Sequence, residues 1–339
     1  MLTYAIIFLI SFLTVYYLVP KLIPIMHAQG FIGKDMNKLD KTQVAELGGI
    51  PIFLGFTFGT MTAIFFLTYF GFSFNLIQLM AGALTIILIG FIGTVDDLIG
   101  WKKGIRQWQH AIFPIIAALP LMAVTISYSP LTIPFIGILP IEFVFPFGII
   151  SFGIIYSLIL VPIGVTGASN ATNMLAGLNG LEAGLSTMIL GTLAIIAFFT
   201  GRIEALIIAL TMIGAILAFL KYNWFPAKIF GGDGLTLMSG ASIAVVAILG
   251  HMEKIGILLL ILFFIELYIK SKSKFQGESF GIPKGKYLLP PKKKKSLTHY
   301  FMYGKAKEKQ IVLRILGVQL IICLLVLLIA YFNFFGLIS

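Results

Sequence analysis

Two adjacent carboxylates, Asp96 and Asp97, stand where an apolar run that begins near Leu79 ends. This is an expensive position for negative charge, because a charge at membrane depth costs a few kcal/mol on insertion scales and like charges in contact raise that cost. Carboxylates kept in such a place usually meet a cation, a proton or a substrate. The pair therefore indicates a site that handles charge at the mouth of a membrane helix.

Fixed cations follow the acidic pair closely. Lys102, Lys103 and Arg106 come directly after it in the sequence. Carboxylates beside cations suit a site that binds both Mg²⁺ and phosphate, since Mg²⁺ prefers oxygen ligands and keeps waters and substrate phosphates in its shell. The alternative is that the acids cap a helix and pair with the lysines, but a helix C-terminus disfavours anions.

An unusual run of side-chain amides occupies Thr166 to Gly184. It contains Asn170, Asn173 and Asn179, several glycines and no basic residue. Amides can donate hydrogen bonds to a base or a ribose, and their carbonyl oxygens can bind a hard metal ion. A plain membrane turn, which is the alternative, does not need this many amides, so the run indicates a binding segment.

Asp233 is an acid flanked by glycines at the start of a predicted helix. Capping of that helix explains such an acid as well as metal ligation does. Its expected placement on the same face as Asp96, Asp97 and Asn173 favours ligation.

Another glycine-rich helix start follows Glu46. The pair Gly48 and Gly49 opens the second predicted helix, and backbone amides at such a start form a seat for an anion or a nucleotide. The alternative is a simple entry turn with solvated charges.

The last long polar segment combines a lysine run, Lys292 to Lys295, with His299. Attraction to anionic lipid headgroups explains the lysines. His299 is the sole histidine of this segment, and we expect it to lie near a phosphate. The remaining histidines stand at span ends and are interpreted as interfacial or packing residues: His27, His110 and His251.

The elements that must position these residues are membrane helices. The chain has 59% hydrophobic and 11% charged residues over 339 positions, which excludes a soluble globular protein of this size. We predict an all-α polytopic membrane protein, one domain over residues 1–339, with about ten transmembrane helices. The predicted spans are residues 3–23, 48–69, 74–95, 110–126, 144–165, 184–200, 203–220, 235–250, 255–269 and 311–335.

The positive residues predict the orientation of these helices. The net charge is +11, yet its distribution argues against nucleic acid as a partner, because almost every lysine and arginine falls on one side when the N-terminus is placed outside. Only Arg202 and Lys254 fall on the other side. By the positive-inside rule both termini are external and the catalytic loops are cytoplasmic. The predicted cytoplasmic loops are 24–47, 96–109, 166–183, 221–234 and 270–310, with an external hairpin at 127–143.

Two sequence strings resemble a known enzyme family. Residues 170–184, read as Asn-Ala-Thr-Asn-Met-Leu-Ala-Gly-Leu-Asn-Gly-Leu-Glu-Ala-Gly, and residues 223–233, from Asn-Trp-Phe-Pro to Phe-Gly-Gly-Asp, are similar to motifs of the polyprenyl-phosphate N-acetylhexosamine-1-phosphate transferases. The resemblance covers essentially the whole chain and is strongest to the archaeal and eukaryotic branch that uses UDP-GlcNAc and dolichyl phosphate. Asn179 stands where the bacterial cell-wall branch has an aspartate, and His299 where that branch has a histidine run, which disfavours the pentapeptide substrate.

The resemblance implies a role for each candidate. Asn173 and Asp233 would bind Mg²⁺, with Mn²⁺ as an alternative ion. Glu46, Gly48, Asn179 and Phe230 would bind the UDP-sugar, the last two at the uracil. Asp96, Asp97, Arg106 and His299 would be catalytic, although the Arg-His-Arg sugar motif of the eukaryotic enzyme has no clean counterpart here.

The implied reaction is transfer of GlcNAc-1-phosphate from UDP-GlcNAc to a polyprenyl (dolichyl) phosphate, with release of UMP. It would be the first membrane step of lipid-linked oligosaccharide assembly for protein N-glycosylation, at the cytoplasmic face of the cell membrane, by a protein that relatives imply is a homodimer. We hypothesise that Asp97, assisted by Asp96, orients or deprotonates the acceptor phosphate.

Two other functions stay open at this stage. The first is a phosphosugar transferase of the same family that uses another UDP-N-acetylhexosamine or feeds another cell-surface polysaccharide. The second, more distant, is a nucleotide-sugar or lipid transporter, which needs polar groups near the bilayer midplane. Midplane charges are essentially missing from the predicted spans, so the transferase is favoured.

Overall fold

The computed structural model describes residues 2–100, 107–125, 132–133, 137–138, 142–145 and 148–334, so Arg106 lies outside the described residues. The helices are α1 (Leu2–Gln29), α2 (Gly49–Tyr69), α3 (Leu76–Gly100), α4 (Gln107–Ala117), α5 (Leu119–Thr125), α6 (Phe152–Ile155), α7 (Val161–Met174), α8 (Leu181–Phe199), α9 (Ile203–Asn223), α10 (Gly232–Leu249), α11 (Glu253–Leu259), α12 (Ile261–Lys272), α13 (Thr298–Phe301) and α14 (Glu308–Phe334). A π-helical turn, Tyr156–Leu160, joins α6 to α7.

Strands are short and pair only with their sequence neighbours. They are β1 (Ile32–Lys34), β2 (Gln43–Ala45), β3 (Thr132–Ile133), β4 (Gly137–Ile138), β5 (Glu142–Phe145), β6 (Gly148–Ser151), β7 (Ile282–Lys284) and β8 (Tyr287–Leu289). Each consecutive pair forms an antiparallel two-stranded sheet. The strands therefore belong to connecting segments, and the core is helical.

The prediction of an all-α polytopic membrane protein is confirmed. Within the described residues, 8 helical stretches are long and apolar enough to cross a membrane, and the bent pair α4 and α5 raises the number to 9 if it forms one span. The predicted span at 255–269 corresponds to α11 and α12, which are interrupted at Leu260. Glu266 and Lys270 make this stretch more polar than the others.

The predicted span at 144–165 begins too early. Its first residues form the antiparallel strands β5 and β6, and helical structure runs from Phe152 to Met174. Aromatic and β-branched residues around Pro146 favour extended structure over helix, and hydropathy alone does not distinguish the two. The predicted hairpin at 127–143 lies largely outside the described residues, which contain the paired strands β3 and β4.

Helices run further than the predicted loop limits. Helix α3 continues through Asp96 and Asp97, and α7 continues through Asn170 and Asn173. Hydropathy marks the part of a helix that faces lipid, whereas the backbone hydrogen bonds of the helix continue beyond it. The predicted loops at 96–109 and 166–183 are therefore partly helical, and their polar side chains stand on helix ends.

Helix α10 lies at the centre of the fold. It packs against α3, α7, α8 and α9, and residues Gly234 to Leu249 are all buried. Two glycines permit close approach: an added Cβ would lie 2.5 Å from the Asp233 carbonyl oxygen at Gly93 and 2.3 Å from the Ala168 carbonyl oxygen at Gly240. These contacts hold the ends of α3, α7 and α10 close together, as small residues do between membrane helices.

Connecting segments at one end of the helices are joined by backbone and amide hydrogen bonds. We call residues 273–307, which contain β7, β8 and α13, the flap. Asn37, from the segment after α1, donates from Nδ2 to the Gly177 carbonyl (2.7 Å) and accepts from the Gly281 amide of the flap (3.0 Å). Ala45 forms a parallel bridge with Ile229. Segments far apart in sequence thus close over the same end of the bundle.

Candidate active site

Three ionisable side chains from three helices meet at this end. Asp96 of α3 places Oδ2 3.0 Å from His110 Nε2 of α4, and Asp233 Oδ2 of α10 is 4.0 Å from the same nitrogen. Ligand atoms of all three residues lie within 4.8 Å of one another. Asp96 is 6% exposed. Carboxylates this close repel each other, so the cluster is suited to hold a cation.

Asn173 completes the cluster from α7. Its side-chain amide hydrogen-bonds the Asp233 carboxyl, which also contacts the Asp96 carboxyl. The predicted ligands Asn173 and Asp233 are therefore brought together with Asp96. Carboxylate and amide oxygens are the donors that a hard divalent ion prefers, so the residues present fit Mg²⁺.

Asp97 has a different environment from Asp96. Its Oδ1 accepts from the Asp233 amide at 2.7 Å and its Oδ2 from the Gly234 amide at 2.9 Å. These are free amides of the first turn of α10, where negative charge is favourable. An added Cβ at Gly232, which has φ +64°, would lie 2.4 Å from both Asp97 oxygens. Asp97 is thus a cap that fixes the helix start bearing Asp233.

A lysine on α12 holds the end of α7 that carries Asn173. Lys270 Nζ donates to the Met174 carbonyl at 2.5 Å and lies 3.4 Å from Glu266 Oε1. A cation is favourable at a helix C-terminus. Glu266 is fully buried, and its Oε2 accepts from the Leu297 amide of the flap at 2.5 Å. The pair therefore links the flap to the helix end beside the carboxylates.

We expect Lys270→Met to lower the rate of the expected phosphosugar transfer by about 10²-fold. Loss of the contact to the Met174 carbonyl would shift the neighbouring Asn173, and a displacement of about 1 Å in a site can have an effect of that size. Steady-state rates and the Mg²⁺ concentration for half-maximal rate measure it. Lys272→Met, at a nearby position over the Tyr268 ring, is the matched control.

The double variant E266Q/K270M separates positioning from simple destabilisation. It removes the buried charge that K270M leaves unpaired, so it should regain thermal stability, but it should not regain turnover. Turnover of K270M equal to that of K272M would contradict the positioning role.

A cavity of about 280 Å³ opens beside the carboxylate cluster. Its wall includes most of the predicted nucleotide and metal residues: Glu46, Asn173, Asn179, Phe230 and Asp233. Gly48 contacts this wall, since its amide donates to the Phe230 carbonyl at 2.9 Å. A larger residue would not fit there, because an added Cβ would lie 2.4 Å from the Phe219 ring. Burial raises the pKa of Glu46 above its usual value.

His299 is not brought to this cavity among the described residues. It lines a second cavity of about 610 Å³ together with Lys41, Lys293 and Lys295. Its Nδ1 accepts from the Lys295 amide at 3.1 Å, and its Nε2 lies 2.9 Å from the Phe280 carbonyl. Burial lowers its pKa, so the ring is neutral near pH 7. These contacts describe a residue that shapes the flap, in contrast to the predicted catalytic role, which stays a prediction.

His110 was missed by the sequence interpretation, which placed it among packing residues. Asn170 holds its backbone in place, because Nδ2 donates to the His110 carbonyl at 3.0 Å. The sequence signal that could have identified His110 was its position in the first turns of α4, the next helix after the acidic pair. A helix that turns back directly after an acidic pair faces that pair with its first turns.

Comparison with known proteins identifies several relatives of this chain. Residues 79–251 match the model of glycosyl transferase family 4. The chain is 36% identical over 302 residues to a Sulfolobus acidocaldarius protein provisionally named UDP-N-acetylglucosamine–dolichyl-phosphate N-acetylglucosaminephosphotransferase, covering 88% of this chain and 87% of that protein. It is 28% identical over 289 residues to the protein of that name in Schizosaccharomyces pombe, covering 73% and 61%.

A bacterial relative has a different name. The chain is 30% identical over 263 residues to phospho-N-acetylmuramoyl-pentapeptide-transferase of Clostridium perfringens strain 13, covering 76% of this chain and 78% of the relative. Both names describe transfer of a phosphorylated amino sugar. The carboxylate cluster and its neighbouring cavity thus occur in a chain whose relatives share one chemistry.

Proposed function

The chain belongs to glycosyl transferase family 4, and from this membership we propose that it transfers GlcNAc-1-phosphate from UDP-GlcNAc to a polyprenyl (dolichyl) phosphate. The products are GlcNAc-diphospho-lipid and UMP. The observation that carries the proposal is the cluster formed by the carboxylates of Asp96 and Asp233 with the His110 imidazole. This cluster lies beside a cavity at the ends of membrane helices. A water-soluble sugar nucleotide and a membrane-bound phosphate can meet at such a place.

Mg²⁺ is the proposed cofactor, and Asn173 and Asp233 are the proposed ligands. The oxygen donors of these side chains and of Asp96 support a hard ion over a soft one. When bound, the ion would offset the negative charge of the diphosphate as the second anion approaches.

The protein side chains have separate tasks in the proposed reaction. Phe230 offers its ring face and Asn179 its amide to the uracil, and Glu46 lies on the same cavity wall. Asp96, 3.0 Å from His110, is the carboxylate proposed to face the acceptor phosphate. A phosphate monoester is mostly ionised near neutral pH, so positioning of the lipid phosphate for direct attack on the β-phosphorus is the main requirement.

The proposed orientation places this site at the cytoplasmic face of the cell membrane. The basic residues of the flap and of the segment after α1 lie at the same end as the carboxylate cluster, which supports that side by the positive-inside rule. Use of the product in N-glycosylation, and assembly as a homodimer, stay predictions.

A purified-protein assay tests the proposal. We expect UMP release and GlcNAc-diphospho-lipid formation from UDP-GlcNAc and a short polyprenyl phosphate, and we expect EDTA to stop both and excess Mg²⁺ to restore them. UDP-GalNAc and UDP-MurNAc-pentapeptide serve as competing donors. Product formation only from the muramoyl donor would move the chain to the bacterial branch, and activity insensitive to EDTA would overturn the role of the metal.

A further inference from the structure

Asn179, on the cavity wall, has its side-chain amide held in one orientation. The residue is 5% exposed. Its Nδ2 donates to Asp35 Oδ2 at 3.0 Å, and its backbone amide donates to Glu308 Oε1 at 2.8 Å. Both donors that fix the residue are therefore engaged by carboxylates, one from Asp35 on the wall of the same cavity and one from Glu308.

Asp35 is itself fixed and charged. It is 2% exposed, its Oδ1 accepts from the Asn37 amide at 3.1 Å, and its Oδ2 forms an ion pair with Lys38. An ionised carboxylate accepts hydrogen bonds and donates none. If the Asn179 amide rotated by half a turn, its oxygen would face the Asp35 carboxylate without a proton between them. Asp35 thus excludes one of the two amide orientations.

The permitted orientation leaves the amide oxygen for a ligand. Within the described part of the chain, Asn179 Oδ1 has no hydrogen-bond partner, and the residue lines the cavity of about 280 Å³ together with Phe230. Asn179 Oδ1 is open to the cavity and not enclosed by protein, so it can accept a hydrogen bond from a ligand. The cavity therefore offers an aromatic face and, beside it, one acceptor of defined position.

We propose that Asp35, by orienting Asn179, makes this site select uracil over cytosine. The inference rests on the proposed function, in which the base lies between Asn179 and Phe230. Uracil presents an N3–H donor beside the O4 acceptor, whereas cytosine presents an N3 acceptor beside an N4 amino donor. An amide that rotates freely pairs with either edge by turning over. With the amide fixed, Asn179 Oδ1 accepts a hydrogen bond from N3–H of uracil. In cytosine N3 is itself an acceptor, so two lone pairs would face each other and no hydrogen bond would form.

The test compares UDP-GlcNAc with CDP-GlcNAc as donors for the full-length protein. We expect the wild type to favour the uridine donor strongly in kcat/KM, because a site that leaves buried polar groups unpaired with the wrong ligand discriminates by about 10⁴-fold. In Asp35→Asn the Asn179 amide and the introduced amide can both rotate, so either orientation of Asn179 is allowed. The ratio of kcat/KM for the uridine donor to that for the cytidine donor should therefore fall by about 10²-fold. Asp40→Asn, which changes an exposed acid of the same segment whose carboxylate accepts from the Thr42 hydroxyl, should keep the wild-type ratio.

A swapped pair makes the test independent of folding losses. Asn179→Asp alone places two carboxylates in contact and should bind both donors poorly. In the double variant D35N/N179D the introduced amide donates to the introduced carboxylate, which still offers an acceptor to N3–H, so uridine selectivity should return. Thermal stability of each variant is measured alongside.

The outcomes separate the inference from the proposed function. If the wild type does not use UDP-GlcNAc, the proposed function fails. If the wild type does use it, but D35N keeps the wild-type ratio or the double variant does not recover the selectivity lost in D35N, the orienting role of Asp35 is overturned and the proposed function stands.

Discussion

Replacement of Asp96 or Asp233 by asparagine is expected to lower phosphosugar transfer by about 10³-fold, an effect as large as the loss of one main electrostatic group in an active site. Each substitution removes a charge and a hard oxygen donor from a cluster whose ligand atoms lie within 4.8 Å of one another. Initial rates at saturating donor and acceptor measure the loss. The Mg²⁺ concentration for half-maximal rate should rise more in D233N than in D96N, because Asp233 also contacts Asn173.

Glu278→Gln is the matched control for these variants. Glu278 is an exposed acid of the flap that lines the second cavity, so its loss changes net charge equally without touching the cluster. Turnover by D233N within a few-fold of the E278Q rate would refute the assignment of Asp233 to the reacting centre.

Replacement of Asp97 is expected to reduce stability and turnover together. Both carboxylate oxygens accept from backbone amides at the start of α10. Loss of two hydrogen bonds to a charged group costs about 3 kcal/mol or more of the free energy of unfolding. In Asp97→Asn an NH₂ group would face one of the two amide donors. Helix α10 then loses the cap that fixes Asp233, and turnover falls by about 10²-fold or more.

This expectation differs from the hypothesis drawn from the sequence, in which Asp97 acts on the acceptor phosphate and its replacement leaves nucleotide affinity intact. Thermal unfolding and UMP binding of D97N decide between them. A D97N protein that unfolds at the wild-type temperature, binds UMP normally and is inactive would support the base and refute the cap.

Much of the fold follows from composition and from the position of charge. Long apolar windows predict the membrane helices because a spanning backbone must satisfy its own hydrogen bonds. They do not predict where a helix ends, since α3 and α7 continue past the apolar residues to Gly100 and Met174. Nor do they distinguish strand from helix at 142–145 and 148–151, where local preference decides.

The candidate site could be predicted at the positions where the residue type alone indicates its chemistry. Asp96, Asn173 and Asp233 stand out as polar groups at membrane ends, and the structure brings them together. Partners defined by folding do not stand out. His110 looked like a packing residue, and the orienting contact of Asp35 with Asn179 joins residues 144 positions apart. His299 was expected near phosphate; the structure buries it in the flap beside the Phe280 carbonyl, and its catalytic role stays a prediction.

The enclosure of α10 has a consequence for how this protein meets its surroundings. Since residues Gly234 to Leu249 are all buried among the described residues, this part of the helix that positions Asp233 is shielded from acyl chains. A change in bilayer thickness or lipid type acts first on the outer helices, such as α1 and α14, which carry many exposed apolar side chains. The geometry around the proposed metal ligands is thereby separated from the lipid phase in which the tail of the proposed isoprenoid acceptor would dissolve.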